Sequence, residues 1–470
     1  PGARELWAAA DTQALVRRLR AETLVDYSAV MRLKRQVLEM LAGSFFSDPG
    51  PGRREAFACY LREHPLAVEY ASFRARQEGR LAEAAAVAAS EYHLYCQWQM
   101  EEQLTRLSGL FLDLPLGCHP QGFDPWRWPG LFARGMSVGA PPDDFFTHGQ
   151  DWTFSPLHPE RIRENGHRYL ARCLRHHMRH ARYLRIDHVM ALHRLFWIPE
   201  GMGAADGVYV NYPAKEQYAV LCLESQRSRT VMVGEDLGTV PPQVRPAMRR
   251  HGLLRTWVLQ SELRPRAKET VPPVPADAVA TLNTHDMFPF AGFLQGDDIE
   301  VRVETGQLNR EAARRARAAR RRLVERLGAF LVQSGSGTQT GSELLSVPAK
   351  LAVGRSADLA ALIASFGVYD RGGMTEPDAS SVLGYSSESG ASSELLPWVL
   401  AYLAGSLPAL VLVNLEDLFL ETRPQNVPGT GAEWPNWQRK IREVPRSSGN
   451  TGLGSTARVD LTPPVKRGTV

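Results

Sequence analysis

Six short apolar runs, each carrying a carboxylate or an amide at or near its end, set the terms on which this chain can fold. They cover residues 109–115 with Asp113, 183–187, 230–236 with Glu235, 254–260, 278–286 and 409–417. Between several of them lie patterns with the helical repeat, at 159–180, 214–225, 241–250 and 309–332. Continuous apolar strands alternating with helices specify a parallel sheet covered by helices. Polar residues gathered at the C-terminal ends of several strands specify the working face of a (β/α)8 TIM barrel. A doubly wound sheet is the rival, but it places a glycine-rich phosphate loop after its first strand, and the sequence has none. The expected class is α/β, a (β/α)8 barrel.

The remaining stretches fall around this alternation. Residues 1–105 read as a helical subdomain, with Val30, Leu33, Val37, Leu38 and Leu41 on one stripe. Residues 106–446 hold the barrel portion, interrupted by a loop-rich insertion at 117–158 and a Ser/Gly-rich one at 334–395. Residues 447–470 form an irregular tail.

Composition excludes several classes of function. A formal charge of +4 over 470 residues does not argue for nucleic acid, and the basic run at 310–326 is broken by Glu311, Glu325 and many alanines, as on a solvated helix face. Five scattered cysteines without C-x-x-C spacing favour reduced thiols in a cytoplasm over a disulfide framework or a zinc site. The apolar run at 396–415 is broken by Gly405-Ser406-Leu407-Pro408 and reads as a buried helix, a turn and a strand rather than a membrane span. The N-terminus lacks the basic-then-apolar pattern of a secretory signal.

The chemistry is carried by Asp187, Glu235 and Asp286, which end three of the runs at spacings of roughly fifty residues, each wide enough for a crossover helix. Alternation along a strand puts Arg185 on the same face as Asp187. Several carboxylates at one barrel mouth repel, which lets one act as an ionised nucleophile while another holds a proton. Retaining glycoside chemistry uses two carboxyl groups roughly 5–5.5 Å apart across an oxocarbenium-like transition state. His285, beside Asp286, can donate to a sugar hydroxyl. Simpler readings stand beside these: Asp236 caps the following helix, His188 and His285 are buried and satisfied, and His176, His177 and His180 are a surface feature rather than a metal site. Trp126, Trp128, Phe145, Phe146 and Trp152 lie near Asp124, Asp143, Asp144 and Gln150, flat faces and polar edges of the kind pyranose rings require.

Several blocks together resemble one family. Arg185-Ile186-Asp187-His188, Gly234-Glu235-Asp236-Leu237-Gly238 and Thr284-His285-Asp286 look like the signature blocks of the 4-α-glucanotransferases, or amylomaltases, of the α-amylase clan. The likeness extends to Asp113-Leu114-Pro115, Gly139-Ala140-Pro141-Pro142-Asp143, Gly149-Gln150-Asp151-Trp152, the segment from Pro424 to Thr430, and Asn436-Trp437. It implies transfer of α-1,4-glucan segments from a maltodextrin donor to a glucose or maltodextrin acceptor, with retention and without a metal or organic cofactor. Under it Asp187 is the nucleophile, Glu235 the general acid and base, and Asp286 the transition-state stabiliser. Arg185, His285, Asp143, Gln150, Trp152 and Asp113 hold substrate. The same acids serve an α-glucan hydrolase, and a chain that only binds glucan is the reading from another class. The family's first two barrel strands have no counterpart, so the resemblance implies an N-terminally incomplete barrel of strands three to eight. Met287 stands where many members have Asn.

Overall fold

The computed structural model describes residues 2–79, 83–143, 146, 148–334, 391–431 and 434–441. They form two units, one over Pro1–Val231 with Gln438–Lys440 and one built on Met232–Trp437. Leu81, Asp144, Phe145, the stretch 335–390 and the tail 447–470 lie outside the described residues.

The first unit begins with helices Gly2–Ala8, Ala10–Ala21, Tyr27–Ser47, Pro51–Glu63, Ala67–Gln77 and Glu83–Thr105. Local chemistry starts two of them. Asp26 Oδ1 accepts from Ala29 N at 2.9 Å as an N-cap, and Pro51 occupies a first turn where its missing N–H costs nothing. Their apolar faces meet on Trp98, 2% exposed, whose ring lies 4.8 Å from that of Phe45 and 5.2 Å from that of Phe57. On the stripe expected for Tyr27–Ser47, Leu33 is buried but Leu41 is exposed; Ala42 and Phe45 carry the face instead. Residues 438–440 return to this unit, where Lys440 Nζ donates to Leu19 O at 2.6 Å and satisfies a carbonyl at a helix end.

Six strands follow: β1 (Leu110–Leu114), β2 (Met136–Ala140), β3 (Gln150–Asp151), β4 (Ala181–Ile186), β5 (Arg194–Pro199) and β6 (Val208–Asn211). β1 and β4 pair in parallel with Asp113 opposite Arg185. The others form an antiparallel sheet in the order β3-β2-β5-β6. The insertion at 117–158 is therefore partly sheet. Its strands are short, and β2 bears a glycine: a Cβ on Gly139 would run into Gln150 O, so only glycine lets β3 come this close. The helix expected over 159–180 is two, Pro159–Glu164 and Arg168–Met178, separated by Gly166 (φ 62°) and His167 (φ 53°). The second crosses Ala214–Ser228 over Glu224, 1% exposed, which takes Arg175 Nε at 2.7 Å and Nη2 at 2.8 Å. His180 is not a surface residue: its side chain is 8% exposed and its Nε2 lies 3.1 Å from Glu101 Oε2.

The second unit holds β7 (Val231–Gly234, its first residue at the unit boundary), β8 (Leu254–Val258), β9 (Ala278–Thr281) and β10 (Leu410–Leu412). They pair in parallel, β7 with β8, β8 with β9 and β9 with β10. All four residues of β9 are buried, as in a strand covered on both faces. Helices Arg310–Gln333 and Ala391–Gly405 cover it through Leu327, Leu331, Leu396, Leu400 and Leu403. The run at 396–415 is the expected helix, turn and strand, and among the described residues no helix is long and apolar enough to cross a membrane. All six strands read from the apolar runs are present.

Because Trp98 is the shared contact of the helical core, Trp98→Ala is expected to destabilise the first unit by roughly 3–5 kcal/mol, measured as a lowered urea midpoint with the slope unchanged.

Candidate active site

In the first unit the parallel pairing of β1 and β4 brings a cation between two carboxylates. Arg185 Nη1 donates to Asp113 Oδ2 at 2.5 Å and lies 2.9 Å from Asp187 Oδ1. Asp187 N donates to Leu114 O at 3.1 Å, which extends the ladder one residue past β4 and fixes the backbone carrying that carboxylate. His188 then takes a left-handed conformation (φ 45°) and turns the chain into Val189–Leu192. Burial pushes the His188 imidazole down to about 4, so the ring is neutral at neutral pH. Its ring lies 5.4 Å from that of Trp152, at 73°, and Trp152 Nε1 donates to Gln150 Oε1 at 3.3 Å. Asp113, Arg185, Asp187, Trp152 and Gln150 thus form one connected set, joined through His188. Asp143 stands on an exposed turn of its own, where its Oδ1 accepts from Phe146 N at 2.6 Å.

In the second unit Glu235 follows β7, and His285 and Asp286 follow β9, with β8 between, so all three lie at the C-terminal edge of one parallel sheet. Glu235 is 8% exposed and its Oε1 accepts from Leu237 N at 2.8 Å. The adjacent Asp236 does not cap a helix. It is fully buried and accepts from Arg245 Nε at 2.7 Å, Arg255 Nε at 2.9 Å and Thr256 N at 3.0 Å, tying the end of β7 to β8. Asp286 is half exposed and accepts from Asn426 Nδ2 at 2.7 Å. His285 Nε2 lies 3.4 Å from Asp286 Oδ2, and its ring is 5.6 Å from that of Trp437. The histidine is 45% exposed, so the buried reading does not apply to it.

The turn carrying His285 and Asp286 is held from both ends by Asp417. Its carboxylate accepts from Asn283 Nδ2 at 2.9 and 3.0 Å and from Phe290 N at 2.6 Å. Asn414 Nδ2 donates to Asn283 Oδ1 in turn. Burial is the main influence on Asp417 and pushes its carboxyl up to about 6. Asn426 and Trp437 touch these residues without a sequence signal of their own, although both stand in segments that resemble the family. Asp417 ends the sixth apolar run, which was the signal for it.

Among the described residues no group of three or more His, Cys, Asp or Glu side chains is arranged to hold a metal ion.

The chain is similar to proteins of one kind. A family model described as 4-alpha-glucanotransferase matches residues 4–445. The 4-alpha-glucanotransferase of Mycobacterium tuberculosis is 32% identical over 74% of this chain and 44% of its own length. That of Haemophilus influenzae is 30% identical over 92% of this chain and 62% of its own. The chain thus spans roughly half to three fifths of these relatives. The crystal structure of amylomaltase from Corynebacterium glutamicum matches with a TM-score of 0.67 at 27% identity, over 92% of this chain and 58% of that one. An amylomaltase from Streptococcus agalactiae, solved in complex with acarbose, shares the fold at 17% identity and a TM-score of 0.60, over 90% of this chain and 77% of that one.

Asp417 gives a pH prediction whose sign is set by burial. Its folded-state pKa, about 6, lies above the unfolded value, so the stability it contributes is full below about 4 and is lost as pH rises through 6. Asp417→Asn should flatten the decline in the urea midpoint between pH 4 and 6.5 relative to the unmutated chain.

Proposed function

We propose that this chain, which belongs to the 4-alpha-glucanotransferase family, moves α-1,4-glucan segments between maltodextrins by retaining double displacement. Its fold is the α/β barrel class of the amylomaltases. The observation that carries the reading is the Asp113–Arg185–Asp187 contact at the ends of β1 and β4, a carboxylate held on a fixed backbone beside a shared cation.

The roles follow from the chemistry. An Asp187 carboxylate oxygen attacks the anomeric carbon, the glycosidic C–O bond breaks, and Glu235 gives its proton to the departing 4-oxygen. The product is a glucosyl ester on Asp187 and a shortened glucan. An incoming glucose or maltodextrin then attacks with its 4-hydroxyl, Glu235 takes that proton, and the ester bond breaks as the new α-1,4 bond forms. Asp286, held by Asn426, binds ring hydroxyls and stabilises the positive charge that develops at the anomeric carbon. Arg185 and Asp113 orient the nucleophile and the sugar it attacks. Trp152 offers a face for a pyranose ring, with Gln150 at its edge and Asp143 on the neighbouring turn; His285 donates to a hydroxyl. No step needs a metal or an organic cofactor. Five free thiols support a cytoplasmic setting.

Incubation of the chain with maltotriose is expected to give both longer and shorter maltodextrins. Products that are only shorter would make the activity hydrolysis. Asp187→Asn and Glu235→Gln should each lower the turnover at least about a thousandfold, and an Asp187→Asn variant as active as the parent would remove the nucleophile assignment.

A further inference from the structure

The first unit holds a second polar site that the transfer chemistry does not use. Three helices, Tyr27–Ser47, Ala67–Gln77 and Glu83–Thr105, border an open cavity of about 360 Å³ lined by Arg32, Arg35, Arg74, Glu78 and His93, with Ser28 and Met31 on the same wall. Its volume falls in the range of small-molecule pockets.

The charges on that wall do not cancel. Arg35 and Glu78 neutralise each other through a two-bond fork, Nη1 to Oε1 at 2.9 Å and Nη2 to Oε2 at 2.7 Å. Arg35 Nε is taken by Glu39 at 2.7 Å, and the guanidinium lies 4.6 Å from the centre of the Tyr92 ring. His93 Nε2 also lies against Glu78 Oε1 at 2.7 Å, so both oxygens of the only lining carboxylate are occupied. That leaves Arg32 and Arg74, neither of which has an ion-pair partner among the described residues. Arg74 Nε is buried with no acceptor at all. Buried donors are nearly always satisfied, so an unsatisfied one marks a place for a water or an anion. Burial, the main influence on His93, holds it below its usual range, so the positive charge of the wall comes from arginine.

We infer that this cavity binds a phosphomonoester dianion, with Arg32 and Arg74 as its two counter-charges and Arg35 as a scaffold held in place by Glu78. Guanidinium groups match phosphate oxygens in geometry as well as in charge. Glu39 and Glu78 both serve Arg35, so a phosphate would give Arg32 and Arg74 the anionic partner each lacks, whereas a neutral sugar would leave both uncompensated. The inference concerns a different site and a different ligand chemistry from glucan transfer, and it stands or falls independently of that activity.

Isothermal titration of the full chain at low salt with inorganic phosphate, a hexose phosphate and maltose tests it. Inorganic phosphate and the hexose phosphate are both expected to bind, and the double variant Arg32→Gln, Arg74→Met should weaken them at least tenfold with an unchanged circular dichroism spectrum. Binding of the hexose phosphate alone, lost in the variant, would assign the site to phosphorylated sugars. Arg32→Gln by itself, at an exposed side chain, serves if the double variant does not fold. The inference is overturned if neither phosphate compound binds, if the variants bind as tightly as the parent, or if maltose competes for the same site.

Discussion

The contact on which the first unit's candidate site depends is one guanidinium shared by two carboxylates. Parallel pairing sets Asp113 opposite Arg185, and alternation along the strand direction brings Asp187 to the same side. At an effective dielectric near 20, each pair would be worth roughly 6 kcal/mol before screening. Asp113 and Asp187 are 44% and 36% exposed, however, and solvent reduces such contacts to about 1 kcal/mol or less of net stability. The arrangement is thus a device for position. What fixes Asp187 is the backbone bond from its N–H to Leu114 O, with Arg185 choosing the direction in which the carboxylate points.

The second unit solves the same problem with buried acids. Asp236 and Asp417 have essentially no access to water, and each gathers backbone N–H and side-chain donors from a neighbouring strand or turn. Neither is available to substrate. Each lies beside candidate site residues: Asp236 next to Glu235, and Asp417 across the turn that carries His285 and Asp286. Carboxylates at barrel strand ends therefore divide into those that tie the strand down and those it presents. Adjacency in sequence does not tell them apart, because Glu235 and Asp236 are consecutive and only their partners distinguish them.

This explains what was legible and what was not. The parallel strands could be read because a doubly covered strand must be apolar along its whole length, as β9 is. The antiparallel sheet could not, since β3 has two residues and β2 depends on Gly139 for a close backbone approach that carries no periodic signal. The break between Pro159–Glu164 and Arg168–Met178 was hidden for a related reason: one glycine within a helical repeat is a weak stop signal. In the site, Asp187, Glu235 and Asp286 end runs and announce themselves. Asn426 reaches Asp286 across 140 residues, and no local pattern encodes such a pairing.

Electrostatics separate the two polar sites of the first unit. At the ends of β1 and β4, two carboxylates share one cation, and His188, kept neutral by burial, adds no charge; the edge is net negative. Such a surface favours a reacting carbon that becomes positive on the way to its transition state, and repels phosphate. The helical cavity is the reverse, with Arg32 and Arg74 beside an Arg35 already paired to Glu39 and Glu78, so its wall is net positive. A glucan has nothing to offer those charges, and a phosphorylated ligand would be expelled from the other edge. Because phosphate is repelled from the strand edge and a neutral glucan gains nothing from the helical wall, occupancy of one need not compete with the other. Any influence between them has to pass through the packing of the helical core rather than through a shared ligand.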